Sequence, residues 1–140
     1  MIVQLEAQAY RCLLRVQQAL SPFQILIGPN ASGKSTFLDV LAFLSDLVRE
    51  KDGVASAVSM RAPDLRDLTW LRQGEAFELA VEAKIPDRVC RAKPSAHTRV
   101  RYEIKVGTHP TGGEIGLLAE NLWLSGEPAG SEIKLLQPIL

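Results

Sequence analysis

The sequence predicts an α/β fold that carries an antiparallel meander. Three observations support this. A continuous apolar run, Phe23 to Ile27, breaks into a turn of small residues at Gly28 to Gly33; from Lys34 the apolar period becomes helical; and two later stretches alternate with period two. The length of 140 residues fits about one domain, and 46% hydrophobic with 23% charged residues belongs to a globular chain rather than a disordered one.

Taken in order, Tyr10, Cys12, Leu14 and Val16 alternate with Arg11, Leu13 and Arg15, which predicts a strand over residues 10–16. Ser21-Pro22 supplies a turn, because proline fixes φ and donates no hydrogen bond. Phe23-Gln24-Ile25-Leu26-Ile27 then reads as a short, buried central strand. Beyond Lys34, the residues Phe37, Val40, Leu41, Leu44, Leu47 and Val48 form one helical stripe, with Asp39, Asp46, Arg49 and Glu50 on other faces. Arg49 and Lys51 suit the negative end of the helix dipole, and Gly53 is a natural terminator. Residues 54–61 read as a short helix, and Pro63-Asp64 as the start of another turn.

The second half is β-rich. Phe77, Leu79, Val81, Ala83 and Ile85 alternate with Glu78, Ala80, Glu82 and Lys84. Val100, Tyr102, Ile104 and Val106 likewise alternate with Arg99, Arg101, Glu103 and Lys105. Opposite charges on the two polar faces suit antiparallel pairing. The turn from Gly107 to Gly113 leads to a third strand, Glu114 to Leu124. The expected organisation is therefore 1–53 (strands, loop and first helix), 54–76 (irregular and short helical), 77–125 (antiparallel subdomain) and 126–140 (an incomplete tail).

The chemistry concentrates in Gly28-Pro29-Asn30-Ala31-Ser32-Gly33-Lys34-Ser35-Thr36, which satisfies Gly-x-x-x-x-Gly-Lys-[Ser/Thr] between a strand and a helix. A triphosphate is a concentrated negative charge, best met by successive backbone N–H groups, a helix N-terminus and one mobile cation. Gly28 permits the sharp exit from the strand, and Gly33 lets the backbone approach the phosphates. Lys34 is placed for the β- and γ-phosphates, Ser35 for Mg²⁺, and Thr36 for the α-phosphate side.

The run from Ile25 to Leu41 resembles the Walker A segment of ABC-class P-loop ATPases, specifically the predicted AAA-family ATPases of the RecF, SMC and OLD groups. The meander, with Tyr102-Glu103-Ile104 followed by Glu120-Asn121-Leu122, is similar to their antiparallel subdomain. The resemblance implies a P-loop NTPase fold of ABC-ATPase type, present as its N-terminal part, with ATP and Mg²⁺ as ligands. It further implies a homodimer of heads that sandwiches ATP between Walker A of one and the signature motif of the other. An ABC transporter ATPase is the neighbouring family; its usual Gly-Glu turn is replaced here by Ser21-Pro22-Phe23, which ranks it second.

Hydrolysis requires a Walker B strand, four apolar residues ending in Asp. Gly116-Leu117-Leu118-Ala119-Glu120 comes nearest, with Ala119 where that Asp belongs, and reads as a meander strand. The catalytic residues are thus unknown, and the isolated chain is expected to bind nucleotide with little turnover, whereas a full-length parent would be an ATPase. Leu124-Ser125-Gly126-Glu127 echoes the ABC signature but runs into Pro128 and Gly130, so a polar turn is favoured. A small P-loop kinase and a non-hydrolysing nucleotide-binding interaction module are the alternative functions.

Other residues take plainer readings. Gln73 is a turn residue rather than a γ-phosphate sensor, Tyr10 belongs to an apolar strand face rather than to an adenine platform, and Asp39 and Asp46 form a solvated helix face. His97 and His109 receive no role. Arg88, Arg91, Lys93 and Arg99 form a basic loop for which nucleic-acid contact is the minor reading, since 16 Lys+Arg balance 16 Asp+Glu. Cys12 and Cys90 stand far apart without metal-ligand spacing and read as structural thiols of a reducing, cytoplasmic setting. Met1 to Glu6 show no basic n-region or apolar h-region, and the most apolar helical stretch carries Asp39 and Asp46, so neither secretion nor a membrane span is expected.

Overall fold

The computed structural model describes residues 1–49, 53–92, 97–126 and 134–135. Its strands are β1 (Ile2–Tyr10), β2 (Leu13–Ala19), β3 (Ala76–Lys84), β4 (His97–Thr108), β5 (Ile115–Gly126) and β6 (Lys134–Leu135). Its helices are α1 (Lys34–Arg49), α2 (Gly53–Ser59) and α3 (Asp87–Ala92), with short 3-10 turns at Leu65–Leu68 and Trp70–Arg72. One antiparallel sheet runs in the order β2-β1-β3-β4-β5-β6, so β1 and β2 share it with the meander.

Alternation along the strands produces two unlike faces. Leu5, Ala7, Tyr10, Phe77, Leu79, Ile104 and Val106 face inward and pack with Val40, Phe43 and Leu44 of α1 and Val54, Ala57 and Val58 of α2. At the centre, Tyr10, Phe43 and Phe77 form an aromatic triangle with centroids 6.1, 4.9 and 5.4 Å apart, mostly edge to face. The outer face is charged, and the expected pairing of β3 with β4 is present: Lys105 meets Glu78 at 3.1 Å and Arg99 meets Glu82 at 3.0 Å. Asp64 caps the first 3-10 turn by accepting from the Arg66 amide, where Pro63-Asp64 predicted a helical start.

Three sequence expectations are corrected. The alternation over residues 10–16 is not one strand: the chain turns at Arg11-Cys12, with positive φ at Ala9 (57°) and Arg11 (50°), and Tyr10 pairs with Leu13. Period two survives a tight hairpin, which is why the pattern concealed the turn. The run Phe23 to Ile27 forms no strand and is not buried, with Phe23 81%, Ile25 66% and Ile27 90% exposed. Among the described residues no strand pairs with it, so its apolar character has nothing to pack against. Asp39 and Asp46 are not a solvated face either; Arg61 bridges them, donating to Asp39 Oδ1 at 2.9 Å and Asp46 Oδ2 at 2.7 Å.

Most of the tail beyond Gly126, Glu127 of the signature-like stretch, Lys51, and Lys93 of the basic loop lie outside the described residues.

Candidate nucleotide-binding site

The loop from Gly28 to Gly33 leads directly into α1. Ser32 N donates to Pro29 O at 3.3 Å, and the first helical bond runs from Phe37 N to Gly33 O at 2.8 Å. The amides of Lys34, Ser35 and Thr36 precede that bond and have no acceptor among the described residues, so they form a positively polarised helix end. Gly33 has φ +90°, and a Cβ there would meet Leu13 Cδ2 at 3.1 Å and Cys12 Sγ at 3.3 Å. The backbone angle therefore favours glycine, and the close approach of the β1–β2 hairpin leaves little space for a side chain.

Lys34 folds back over the loop. Its Nζ donates to the carbonyl oxygens of Gly28 (2.7 Å) and Pro29 (2.6 Å) and stands 3.3 Å from Ser32 Oγ. These are neutral acceptors at an exposed site, so an anionic ligand outcompetes them for the ammonium. An open cavity of about 380 Å³ is lined by residues 30–36 and by Cys12. Cys12 is exposed, not a buried structural thiol, and its Sγ donates to Thr36 Oγ1 at 3.3 Å. The loop residues singled out from sequence thus lie around one cavity, with Gly28 and Pro29 contributing through their bonds to Lys34.

No group of three His, Cys, Asp or Glu side chains able to hold a metal occurs among the described residues. The exposed Ser35 hydroxyl beside the loop offers a single oxygen, which fits Mg²⁺ held mainly by phosphate oxygens and water.

The remaining candidates fall elsewhere. Tyr10 is fully buried, as its strand-face reading requires, and its hydroxyl donates to Asp39 Oδ2 at 2.6 Å. Burial, then this bond, pushes the Tyr10 hydroxyl pKa well above its usual value. Gln73 is an exposed turn residue after the second 3-10 turn. Ala119 and Glu120 sit in β5, where Glu120 accepts a 2.6 Å bond from Tyr102. A second hollow of about 340 Å³ on the outer sheet face is lined by Glu6, Glu78, Arg101, Glu103 and Lys105 among others. Most of its charges pair with one another: Arg101 with Glu6 and Glu103, and Lys105 with Glu78.

Sequence reasoning missed Arg61 and the hairpin tip. Asp39 and Asp46 two turns apart, followed by one arginine after an apolar helix, were a usable signal for the first. The approach of Cys12 to Gly33 left no local pattern.

Comparison with known proteins agrees with this geometry. Residues 23–134 match the family described as "AAA domain, putative AbiEii toxin, Type IV TA system". A solved chain from work on ATP-driven dimerization and DNA-stimulated activation of SMC ATPases superposes with a TM-score of 0.56 at 25% identity, covering 92% of this chain and 72% of that one. None of the curated proteins matches. The fold is that of a P-loop NTPase, and the described residues supply its antiparallel sheet, loop and first helix. Among the described residues no helix is long and apolar enough to cross a membrane. With four-fifths of its length matched, the chain belongs to this AAA-domain family and carries an SMC ATPase-like nucleotide-binding domain.

Proposed function

We propose that this chain binds Mg-ATP through a Walker A loop, Gly28 to Thr36, as the nucleotide-binding part of an SMC-like ATPase head. The observation that carries the reading is the open helix end at Lys34 to Thr36 beside a cation, Lys34, held only by neutral oxygens. In this reading the amides of residues 33–36 receive the phosphates, Lys34 leaves the Gly28 and Pro29 carbonyls for the β- and γ-phosphates, and Ser35 is the protein's ligand to Mg²⁺. The metal ion, when bound, neutralises phosphate charge.

Turnover requires a carboxylate that orients water and a segment that addresses the γ-phosphate. The nearest stretch to a Walker B strand is committed to the sheet through Glu120 and Tyr102. Hydrolysis therefore depends on elements outside the described residues. The exposed run Phe23 to Ile27 supports the same reading, since apolar side chains left uncovered and outside the sheet are a place for further elements to pack. Pairing of two heads across the nucleotide follows by analogy with the SMC chain, which comes from work on ATP-driven dimerization. A cytoplasmic setting belongs to the same proposal.

The test is titration of the chain with a fluorescent ATP analogue and Mg²⁺, beside Lys34→Ala, with phosphate release measured on the same samples. Binding lost in the variant, with turnover well below about 1 per second, supports the proposal. Equal binding by both proteins overturns the loop assignment, and transfer of label to a small acceptor would replace it with a kinase.

A further inference from the structure

Asp39 is the meeting point of three chain segments. Its Oδ2 accepts from Tyr10 Oη at 2.6 Å and lies 3.5 Å from Arg11 Nη1, while its Oδ1 accepts from Arg61 Nε at 2.9 Å. Tyr10 and Arg11 form the tip of the β1–β2 hairpin, Asp39 lies in the second turn of α1, and Arg61 follows α2. Arg61 is fastened independently, by Asp46 at 2.7 Å, by the Ala57 carbonyl at 2.9 Å and by its position 5.1 Å above the Phe43 ring. Asp39 therefore stands on a fixed base and holds the hairpin tip against it.

The tip needs holding. Ala9 and Arg11 both occupy the left-handed region, at φ 57° and 50°, which side chains other than glycine rarely adopt unless their surroundings impose it. Its backbone is tied on one side, where Arg11 N donates to Leu68 O at 2.8 Å. On the other side it meets the loop: Cys12 Sγ reaches Thr36 Oγ1 at 3.3 Å, and Leu13 and Cys12 lie against Gly33, 3.1 and 3.3 Å from where a Cβ would stand. The hairpin tip is thus a second wall of the cavity around residues 30–36.

We propose that Asp39 is a positioning residue of the nucleotide pocket, pressing the hairpin tip onto Gly33 and Thr36 through Tyr10 and Arg11 while Arg61 anchors the carboxylate. The inference rests on the reading of residues 28–36 as the nucleotide loop. A carboxylate suits the role because it accepts from Tyr10 and Arg61 and carries the charge that faces the Arg11 guanidinium at 3.5 Å; an amide offers one acceptor oxygen, turns an NH₂ toward a donor and has no charge. The Tyr10 hydroxyl keeps its proton and so remains a donor, since burial and the Asp39 charge both favour its neutral form.

The experiment compares Asp39→Asn and Tyr10→Phe with the parent chain, all carrying Cys90→Ser so that Cys12 is the only thiol. Tyr10→Phe keeps the ring in the aromatic triangle and removes only the tie, so it serves if Asp39→Asn folds poorly. Three readouts are taken: the melting temperature, the rate of Cys12 alkylation without nucleotide, and the affinity for a fluorescent ATP analogue with Mg²⁺. The expected result is alkylation accelerated several-fold and affinity reduced about tenfold at temperatures where the variants remain folded. Parent-like alkylation and affinity in both folded variants, whatever their melting temperatures, would overturn the proposal and leave Asp39 a purely structural residue. Lys34→Ala in the same background separates the two readings. If it binds nucleotide as the parent does, the loop assignment fails and this proposal with it; if it loses binding while Tyr10→Phe and Asp39→Asn keep theirs, the positioning role alone fails.

Discussion

The Arg101 guanidinium reaches across β3 to grip Glu6 with two hydrogen bonds, at 2.7 and 2.9 Å. The strands that carry these residues do not pair with each other; both pair with β3, where Ala80 lies directly beside Glu6. A methyl group at that position leaves room for the bridge above it. The same guanidinium binds Glu103, which also accepts from the Trp123 indole at 3.1 Å, so one arginine links β1, β4 and β5. Arg101→Met is expected to cost about 1–2 kcal/mol in urea unfolding, a bidentate charge-assisted pair discounted for solvent screening at one-quarter exposure. Arg101→Lys should recover only part of it, because an ammonium lacks the fork. A loss indistinguishable from that of an ordinary surface substitution would contradict this.

The acid limb of the stability curve should report the same pair. Hydrogen bonding from Arg101 holds the Glu6 carboxyl pKa below its ordinary value, against an opposing push from burial. The folded value lies below the unfolded one, so the unfolded chain binds more protons in this window. The stabilisation is complete above the unfolded pKa and is lost as pH falls through the depressed folded one. Urea midpoints measured from pH 7 down to about 3 should fall less steeply for Glu6→Gln than for the parent.

Gly33→Ala should damage both stability and ligand binding. The φ of +90° strains any side chain, and the new methyl would press on Leu13 and Cys12 at 3.1 and 3.3 Å. A cost of about 1–2 kcal/mol is expected, with weakened nucleotide-analogue binding, checked by thermal melts and titration. Unchanged melting would show that the hairpin yields more easily than its contacts suggest.

Phe43→Ala removes the ring shared by Tyr10, Phe77 and Arg61 at the centre of the core. A loss of about 3–5 kcal/mol is expected by chemical denaturation, close to the whole stability of a small domain.

Ile27→Ser should do the opposite of a core mutation. With 90% of Ile27 exposed, its removal is expected to change stability by less than about 0.5 kcal/mol while reducing self-association in light scattering. A large destabilisation would show that the run Phe23 to Ile27 is covered in solution.

These contrasts show what the sequence made legible. Strands β3, β4 and β5, helix α1 and the Asp64 cap were readable because each is a local pattern of period, capping or charge. So was the passage from Gly28 to Thr36 out of a run of small and turn-forming residues into α1, because the change of period at Lys34 is local. The turn at Arg11-Cys12 was hidden because alternation continues through a tight hairpin. Phe23 to Ile27 misled because an apolar run reports what a segment is suited to pack against, and whether that partner lies alongside is a property of the whole assembly. The role of Asp39 depends on Tyr10 and Arg61, one on each side of it and both distant along the chain, so no window of residues contained it.

The pairing of β1 with β3 sets an order of assembly. Hairpins β1–β2 and β3–β4–β5 join near neighbours in the chain, but the bond between them unites Ala7 with Leu79 and closes a long loop that holds Gly28 to Thr36 and all of α1. Closing such a loop loses chain entropy before any contact repays it, which makes it the natural slow step of folding. The second wall of the cavity rides on β1 and the loop itself on α1, so a ligand of this pocket would find its site only after the slowest contact had formed. Nucleotide added during refolding should accordingly leave the rate of the main phase unchanged while slowing unfolding.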